Sequence, residues 1–310
     1  MNVSDTQFLG IDVGGTHLKI GLVDKSGNIA EFFKEDTTSY REHADGFGPN
    51  FVQVIGTYLD KFPKVQKVGI GLPGMISKDR MIPLEIPAIP ALNNYPLKAA
   101  LKSKYPNHDF FLENDAAAAA IGEFQFGKGT VSSNFLFITM GTGIGSALVL
   151  DGQVFKGSRG NALEMGHMLS RGNAGLETLI GRGGILKIMA NLIAAYPEKA
   201  GELRGKELGT HLLVDTARTG NEVSLMVFKE VAEIISESIV STIRVLDVTD
   251  VYFGGGIAAG LEFMMPTIEY NTRKYLTPYY VKDLRLKKAT LENNAGTLGA
   301  AALCFMDSGL

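Results

Sequence analysis

The sequence predicts an α/β protein made of two related units, and three observations carry that prediction. Short apolar runs of strand length alternate with longer segments of helical periodicity, the longest over residues 222–246. Three glycine clusters, Gly14-Gly15, Gly141-Thr142-Gly143-Ile144-Gly145 and Gly254-Gly255-Gly256, each close a strand-like run. The order strand, glycine turn, strand, turn, strand opens the chain and returns from Asn134, so the later block echoes the first.

Residues 7–13 and 17–24 are strands around the Gly14-Gly15 turn, and Lys25-Ser26-Gly27-Asn28 turns the chain into a third strand over 29–34. Residues 51–62 have helical spacing and lead into the apolar strand 68–72, which Pro73-Gly74 ends. The proline-rich stretch 81–96 has no periodicity and is expected as an extended loop. A short helix over 97–104, a strand over 109–113 and a helix over 116–124 follow. The second meander has strands over 135–140 and 144–150, a turn at Asp151-Gly152 and a return strand. Residues 174–220 are mostly helical, and in 222–246 Leu225, Phe228, Val231, Ile235, Ile239, Thr242 and Leu246 form one wide face. A strand over 248–253 meets the last glycine cluster. A helix from Ile257, a strand near 284–287 and a helix over 295–305 close the chain.

A chain of 310 residues has room for two ordinary domains. The net charge of -3, with no basic block, argues against nucleic acid or an anionic membrane as partner. The first twenty residues carry Asp5 and Asp12 and lack a basic start before an apolar core, so no signal peptide is expected. No apolar run reaches membrane-spanning length, and a cytoplasmic protein is expected. The single cysteine, Cys304, rules out an internal disulfide or a multi-cysteine metal site, and its apolar surroundings predict a buried, inert thiol.

Several constellations carry chemistry. A strand ending in Asp12 that turns on Gly14 and Gly15 offers backbone N–H groups to phosphate oxygens, Thr16 adds a hydroxyl, and Asp12 can hold hydrated Mg²⁺; the same letters also make an ordinary hairpin turn. The other two glycine clusters suit a second phosphate grip and an adenosine lying against a helix start, or plain helix-start packing. Asp115 follows a strand and begins a helix, where it is either a cap or a carboxylate placed to accept a hydroxyl proton. Glu164, His167 and Glu177 can ligate a metal, hydrogen-bond sugar hydroxyls, or lie solvated at the surface; sugar is favoured over structural zinc because no cysteine is near.

Taken in order, these blocks resemble the ROK family of sugar kinases (repressor, open reading frame, kinase). The strings that carry the resemblance are Gly10-Ile11-Asp12-Val13-Gly14-Gly15-Thr16, Gly71-Leu72-Pro73-Gly74, Glu113-Asn114-Asp115-Ala116, Gly141-Thr142-Gly143-Ile144-Gly145, Glu164-Met165-Gly166-His167, Gly254-Gly255-Gly256-Ile257 and Ala295-Gly296-Thr297-Leu298-Gly299-Ala300-Ala301. They span residues 8 to 303. The resemblance implies the actin-like, ribonuclease H-like and hexokinase-type ATPase fold: two α/β domains with an interdomain cleft. The small domain is expected over residues 1–117 plus 296–310 and the large one over 118–295. It further implies transfer of the γ-phosphoryl group of ATP to the 6-hydroxyl of a hexose or N-acetylhexosamine, with Asp115 as general base. Gly74, Asn114, Glu164, His167 and Glu177 would contact the sugar. Asp12 would position Mg²⁺, Gly14, Gly15, Thr16, Gly141, Thr142 and Gly143 would cradle phosphates, and Gly255 and Gly256 would flank the adenosine. Lys19 points toward the phosphate turn and adds charge there, or is simply a solvated strand lysine. A homodimer is the family's usual assembly.

Two departures touch the sugar pocket. The family's zinc motif of one His and three Cys is reduced here to His167, so structural zinc is expected to be absent. The family's Pro-Asn-Leu sugar loop reads Pro87-Ala88-Ile89, which removes an asparagine contact. Three other readings are weighed. Family repressors carry a DNA-binding module before the first strand, and about seven residues precede it here. A non-catalytic sugar sensor would be expected to lose Asp12 or Asp115, and both are present. Polyphosphate could replace ATP, since residues 143–148 resemble the matching string of polyphosphate glucokinases; the chain lacks the Lys/Arg cluster that would suit a long polyanion.

Overall fold

The computed structural model describes residues 6–41 and 46–306; residues 1–5 and 307–310 of the expected small domain lie outside that range. The first part of the chain runs β1 (Gln7–Val13), β2 (His17–Asp24), β3 (Ile29–Asp36), α1 (Thr37–Arg41), α2 (Phe47–Lys61), β4 (Lys67–Leu72), β5 (Met75–Ile76), β6 (Pro83–Glu85), α3 (Leu97–Lys104), β7 (Asp109–Asn114) and α4 (Asp115–Phe126). It continues with β8 (Phe135–Met140), β9 (Ile144–Leu150), β10 (Gln153–Val154), α5 (Leu176–Ile180), α6 (Arg182–Ala195), α7 (Thr210–Arg218), α8 (Glu222–Leu246), β11 (Asp250–Gly254), α9 (Leu261–Tyr275), α10 (Pro278–Val281), β12 (Arg285–Lys288) and α11 (Ala295–Ala302). Contacts group these elements into two compact units, Met1–Ser133 with Ala147–Leu163 and Thr290–Leu310, and Asn134–Ser146 with Glu164–Ala289. No helix among the described residues is long and apolar enough to cross a membrane.

The two large sheets repeat one strand order, β3-β2-β1-β4-β7 and β10-β9-β8-β11-β12. In the first sheet β2 runs antiparallel to β1 and β3, while β1, β4 and β7 are parallel. The register puts Asp12 opposite Gly71, and Gly71 opposite Glu113. The carboxyl ends of three parallel strands therefore share one sheet edge, the usual place for a ligand on an α/β sheet. In the second sheet β11 is parallel to β8 and β12, with Gly254 opposite Thr139.

Alternation along β1 divides its side chains between two layers. Leu9, Ile11 and Val13 join α2 residues Phe47, Phe51 and Ile55 in one buried cluster, while Phe8 packs with Val23, Leu298, Ala301 and Cys304 in another. Each such large side chain contributes on the order of 1.5–3 kcal/mol of burial. Burial also pushes the Cys304 thiol well above its usual pKa, which agrees with the inert thiol read from the sequence.

Small residues in α11 and α4 serve backbone contact. A Cβ on Gly69 would stand 1.7 Å from the Ala300 carbonyl oxygen, and one on Gly299 would stand 1.6 Å from that of Ala118. The alanine run 116–120 circles the first turns of α4, and its small side chains let that helix pack close to α11.

Some boundaries differ from the sequence reading. Helix α2 starts at Phe47, upstream of the expected 51, because Pro49 falls in the first turn, where its missing N–H has no helical partner to lose. Helix α1 was not expected, and the segment 81–96 holds the short strand β6, which pairs with β5. Gly254 is the last residue of β11, the following turn Gly256–Gly260 is 3-10, and α9 begins only at Leu261.

Candidate active site

In the first unit the phosphate-type turn closes when Gly14 N donates to His17 O at 2.9 Å. A Cβ on Gly14 would come within 2.8 Å of that same oxygen, so the turn demands glycine. Behind it stands Thr37, fully buried at the start of α1, a residue the sequence reading missed. Thr37 N donates to Thr16 O at 2.8 Å and Thr37 Oγ1 donates to Gly14 O at 3.0 Å. Nothing in the local letters marks Thr37, because its role comes from two tertiary bonds.

Asp12 lies opposite Lys19 across the β1–β2 ladder, and Lys19 Nζ is 3.1 Å from Asp12 Oδ2. Lys19 Nζ also donates to Asn293 O at 3.4 Å. Lys19 is thus neither a solvated strand lysine nor aimed only at the turn; it neutralises the acid at the strand end. Gly296 presses on the other side, where a Cβ would meet the Asp12 carboxylate at 2.7 Å. Among the described residues no group of three or more His, Cys, Asp and Glu side chains is placed to hold a metal. Asp12 brings a single carboxylate to this strand end, and one or two carboxylates are what a protein contributes to Mg²⁺, whose shell is otherwise water and phosphate oxygens.

At the end of β7, Asn114 has the extended backbone of an N-cap, and its Oδ1 accepts from Ala117 N at 3.0 Å. Its Nδ2 donates to Gly74 O at 3.1 Å. Gly74 has φ +97°, and a Cβ there would stand 2.2 Å from Glu85 O, so this bend also requires glycine. The cap of α4 is Asn114, and Asp115 is the first helical residue, with Oδ1 accepting from Ala116 N at 2.8 Å. Asp115 is half-buried at the N-terminal end of the helix. Two inter-strand steps, about 10 Å in all, separate the β1 and β7 backbones at this edge. Asp12, Gly14, Gly15, Thr16, Lys19, Gly74, Asn114 and Asp115 all belong to this first unit.

The second unit repeats the turn. Gly141 N donates to Gly143 O at 2.9 Å, but the strand before it ends in Thr139-Met140, without an acid. A carboxylate arrives from elsewhere: Glu177, in the first turn of α5, accepts from Ile144 N at 2.8 Å. It lies so close to the turn that a Cβ on Gly143 would stand 2.1 Å from its Oε2. The 3-10 turn Met165–His167 is held against β9, with Met165 N donating to Ser146 Oγ at 3.2 Å. A short bridge between Leu169 and Gly175, with Leu176 N donating to Met168 O at 2.9 Å, draws the Glu164–His167 turn toward Glu177. Glu164 is half-buried and His167 exposed.

A cavity of about 260 Å³ opens beside Gly141, Thr142 and Gly256 in this unit. Arg182, Thr210, His211, Asp215 and Arg218 supply its polar lining, and Ile185, Leu213, Val214, Phe228 and Ile257 its apolar wall. The sequence reading named Phe228 only in a helix face and Ile257 only at a helix start, and singled out none of the other residues of that lining and wall. The one available signal was Arg182 within Gly181-Arg182-Gly183-Gly184, a fourth glycine cluster, this one at a helix start. Gly255, with φ +85°, lies against the Met140 backbone, where a Cβ would be 2.4 Å from the carbonyl oxygen.

Residues 8–306 match the sequence profile of the ROK family. A glucokinase of Thermotoga maritima is 29% identical, with 96% of each chain covered. A crystal structure from Cytophaga hutchinsonii, provisionally described as a sugar kinase, superposes with a TM-score of 0.89 at 36% identity over 96% of this chain and 99% of the other. The ROK glucokinase of Streptomyces griseus, solved in complex with glucose and AMPPNP, superposes with a TM-score of 0.81 at 25% identity over 96% and 99%.

Proposed function

The chain belongs to the ROK family, and on that premise we propose that it is an ATP-dependent sugar kinase acting on the 6-hydroxyl of a hexose or N-acetylhexosamine. One observation carries the reading: Asp12 lies near the end of β1, and Asp115, the first residue of α4, directly follows β7, a parallel strand of the same sheet. Asp115 is the general base and takes the proton of the attacking hydroxyl. Asn114 and Gly74 bind sugar hydroxyls on that side, and Glu164, His167 and Glu177 bind others. Gly14, Gly15 and Thr16 donate to phosphate oxygens, as do Gly141, Thr142 and Gly143. Asp12 would hold Mg²⁺, which would supply neutralisation of phosphate charge, and Lys19 keeps a positive charge beside it. Phosphoryl transfer asks for alignment and charge stabilisation more than covalent help, so one base suffices.

ATP is favoured over polyphosphate by the cavity beside Gly141. Its apolar wall of Ile185, Leu213, Val214, Phe228 and Ile257 suits a nucleoside, and a polyanion has no use for it. Gly255 and Gly256 let the adenosine lie near the backbone.

The test is ADP release with MgATP against glucose, mannose, fructose, allose, N-acetylglucosamine and N-acetylmannosamine. Turnover on one sugar supports the proposal and names the substrate. A folded protein that binds an ATP analogue and turns over none of them contradicts it.

A further inference from the structure

We propose that Arg80 and Glu113 form a buried charge clamp that positions Asn114 and Asp115 at the end of β7. Arg80 Nε lies 2.9 Å from Glu113 Oε1, an ion-pair contact without the alignment of a hydrogen bond, with the two side chains 7% and 3% exposed. The same Glu113 oxygen accepts from Asn114 N at 2.9 Å, which turns the carboxylate back onto the strand end it belongs to. Lys156 Nζ stands 3.8 Å from the other oxygen.

The Arg80 fork then reaches further. Its Nη2 donates to Gly160 O at 2.7 Å and its Nη1 to Ser77 O at 3.2 Å. Asn161 pairs with both backbone groups of Ile76, at 2.9 and 3.0 Å. The loop after Gly74, the segment 156–161 and the head of α4 are therefore tied through one guanidinium. Arg80 itself adopts φ +57°, a left-handed conformation that a bulky side chain takes only where its surroundings hold it. A buried ion pair is a poor source of stability, since its desolvation offsets its attraction, and a well-packed apolar pair often folds as well. Such a pair earns its place by fixing geometry. Here the geometry fixed is that of the proposed base and of Asn114, whose amide also reaches Gly74. Arg80 and Glu113 are positioning residues; neither is assigned contact with substrate.

The clamp rests on the kinase reading for its consequence, and the experiment separates the two. Arg80→Met, Arg80→Lys and the double variant Arg80→Met/Glu113→Leu are compared with the wild type. Readouts are amide hydrogen exchange over residues 113–118, ATP-analogue affinity, and the ratio of sugar phosphorylated to ATP hydrolysed. The double variant removes both charges, so it keeps the test open if Arg80→Met does not fold. The clamp predicts at least tenfold faster exchange over 113–118 in the Met variants, with exchange in the second unit unchanged and analogue affinity within twofold. It predicts a tenfold or greater fall in sugar transfer per bound nucleotide, a raised sugar KM and more wasted ATP, with partial retention in Arg80→Lys. Unchanged exchange over 113–118 in a folded double variant would overturn the clamp, whatever the activity. Wild-type silence on every sugar with altered exchange would overturn the kinase reading and leave the clamp standing.

Discussion

The two glycine turns, Gly14–Thr16 and Gly141–Gly143, have similar backbones and different chemistry. Each follows a strand, each is closed by a glycine N–H bonded to a carbonyl two or three residues on, and the sheets that carry them share one strand order. The first has its acid built in at Asp12, paired with Lys19 across the ladder. The second has none at the strand end and takes its carboxylate from α5, where Glu177 binds the Ile144 N–H. Repetition thus preserves a glycine turn after the strand while the charges around it diverge. Under the kinase reading the first turn handles metal as well as phosphate, and the second grips phosphate through N–H groups alone.

That contrast is sharpest under Asp12→Asn. The variant is expected to lose about 100-fold or more in kcat/KM for MgATP, because a metal's charge stabilisation is worth several kcal/mol. Steady-state kinetics over a Mg²⁺ titration checks it, and a wild-type Mg²⁺ response would remove the asymmetry. Next comes Glu177→Gln, which keeps an acceptor for the Ile144 N–H and removes the charge. A sugar KM raised about tenfold, with MgATP affinity within about twofold, is expected if Glu177 binds sugar; the reverse split would make it a turn-holder only. Thr37→Val removes the Oγ1 bond to Gly14 O and keeps the backbone bond to Thr16 O, so one of two turn supports is lost on the first side alone. It should cost about 1 kcal/mol in denaturant unfolding and raise the KM for MgATP several-fold.

The repeated succession of strand, glycine turn, strand, turn and strand was legible in the sequence because it is local: apolar runs of strand length and glycine clusters between them. The ambiguity over Asp115 as cap or base was not resolvable by letters. Asn114 and Asp115 are both good caps, and only backbone geometry gives that role to Asn114. Thr37, Arg80 and the pairings of Glu113 were invisible for another reason. Their partners lie 23, 33 and 43 residues away or more in the bonds Thr37–Gly14, Arg80–Glu113 and Glu113–Lys156, and no periodicity encodes such pairings. The cavity lining on α6 and α7 was hidden likewise, since Arg182, His211 and Asp215 become neighbours of Gly141 only on folding.

The smallest expected effect lies far from either turn. Burial raises the folded-state pKa of Cys304, so the folded chain holds a proton that the unfolded chain releases above about pH 8.5. Stability should therefore be fully present below that pH and fall by about 1 kcal/mol toward pH 9.5. Denaturant midpoints at pH 7 and 9.5 in wild type and Cys304→Ala check this, and an equal fall in both would place the cause elsewhere.

The most direct test of the account is a single-turnover quench with γ-labelled ATP on Asp115→Asn, at saturating concentrations of the sugar found in the panel. The account predicts nucleotide and sugar affinities close to wild type, with transfer to the sugar slowed about 10²- to 10⁴-fold, the usual worth of a general base. Transfer at the wild-type rate would contradict it, and the proton would have to leave through another group.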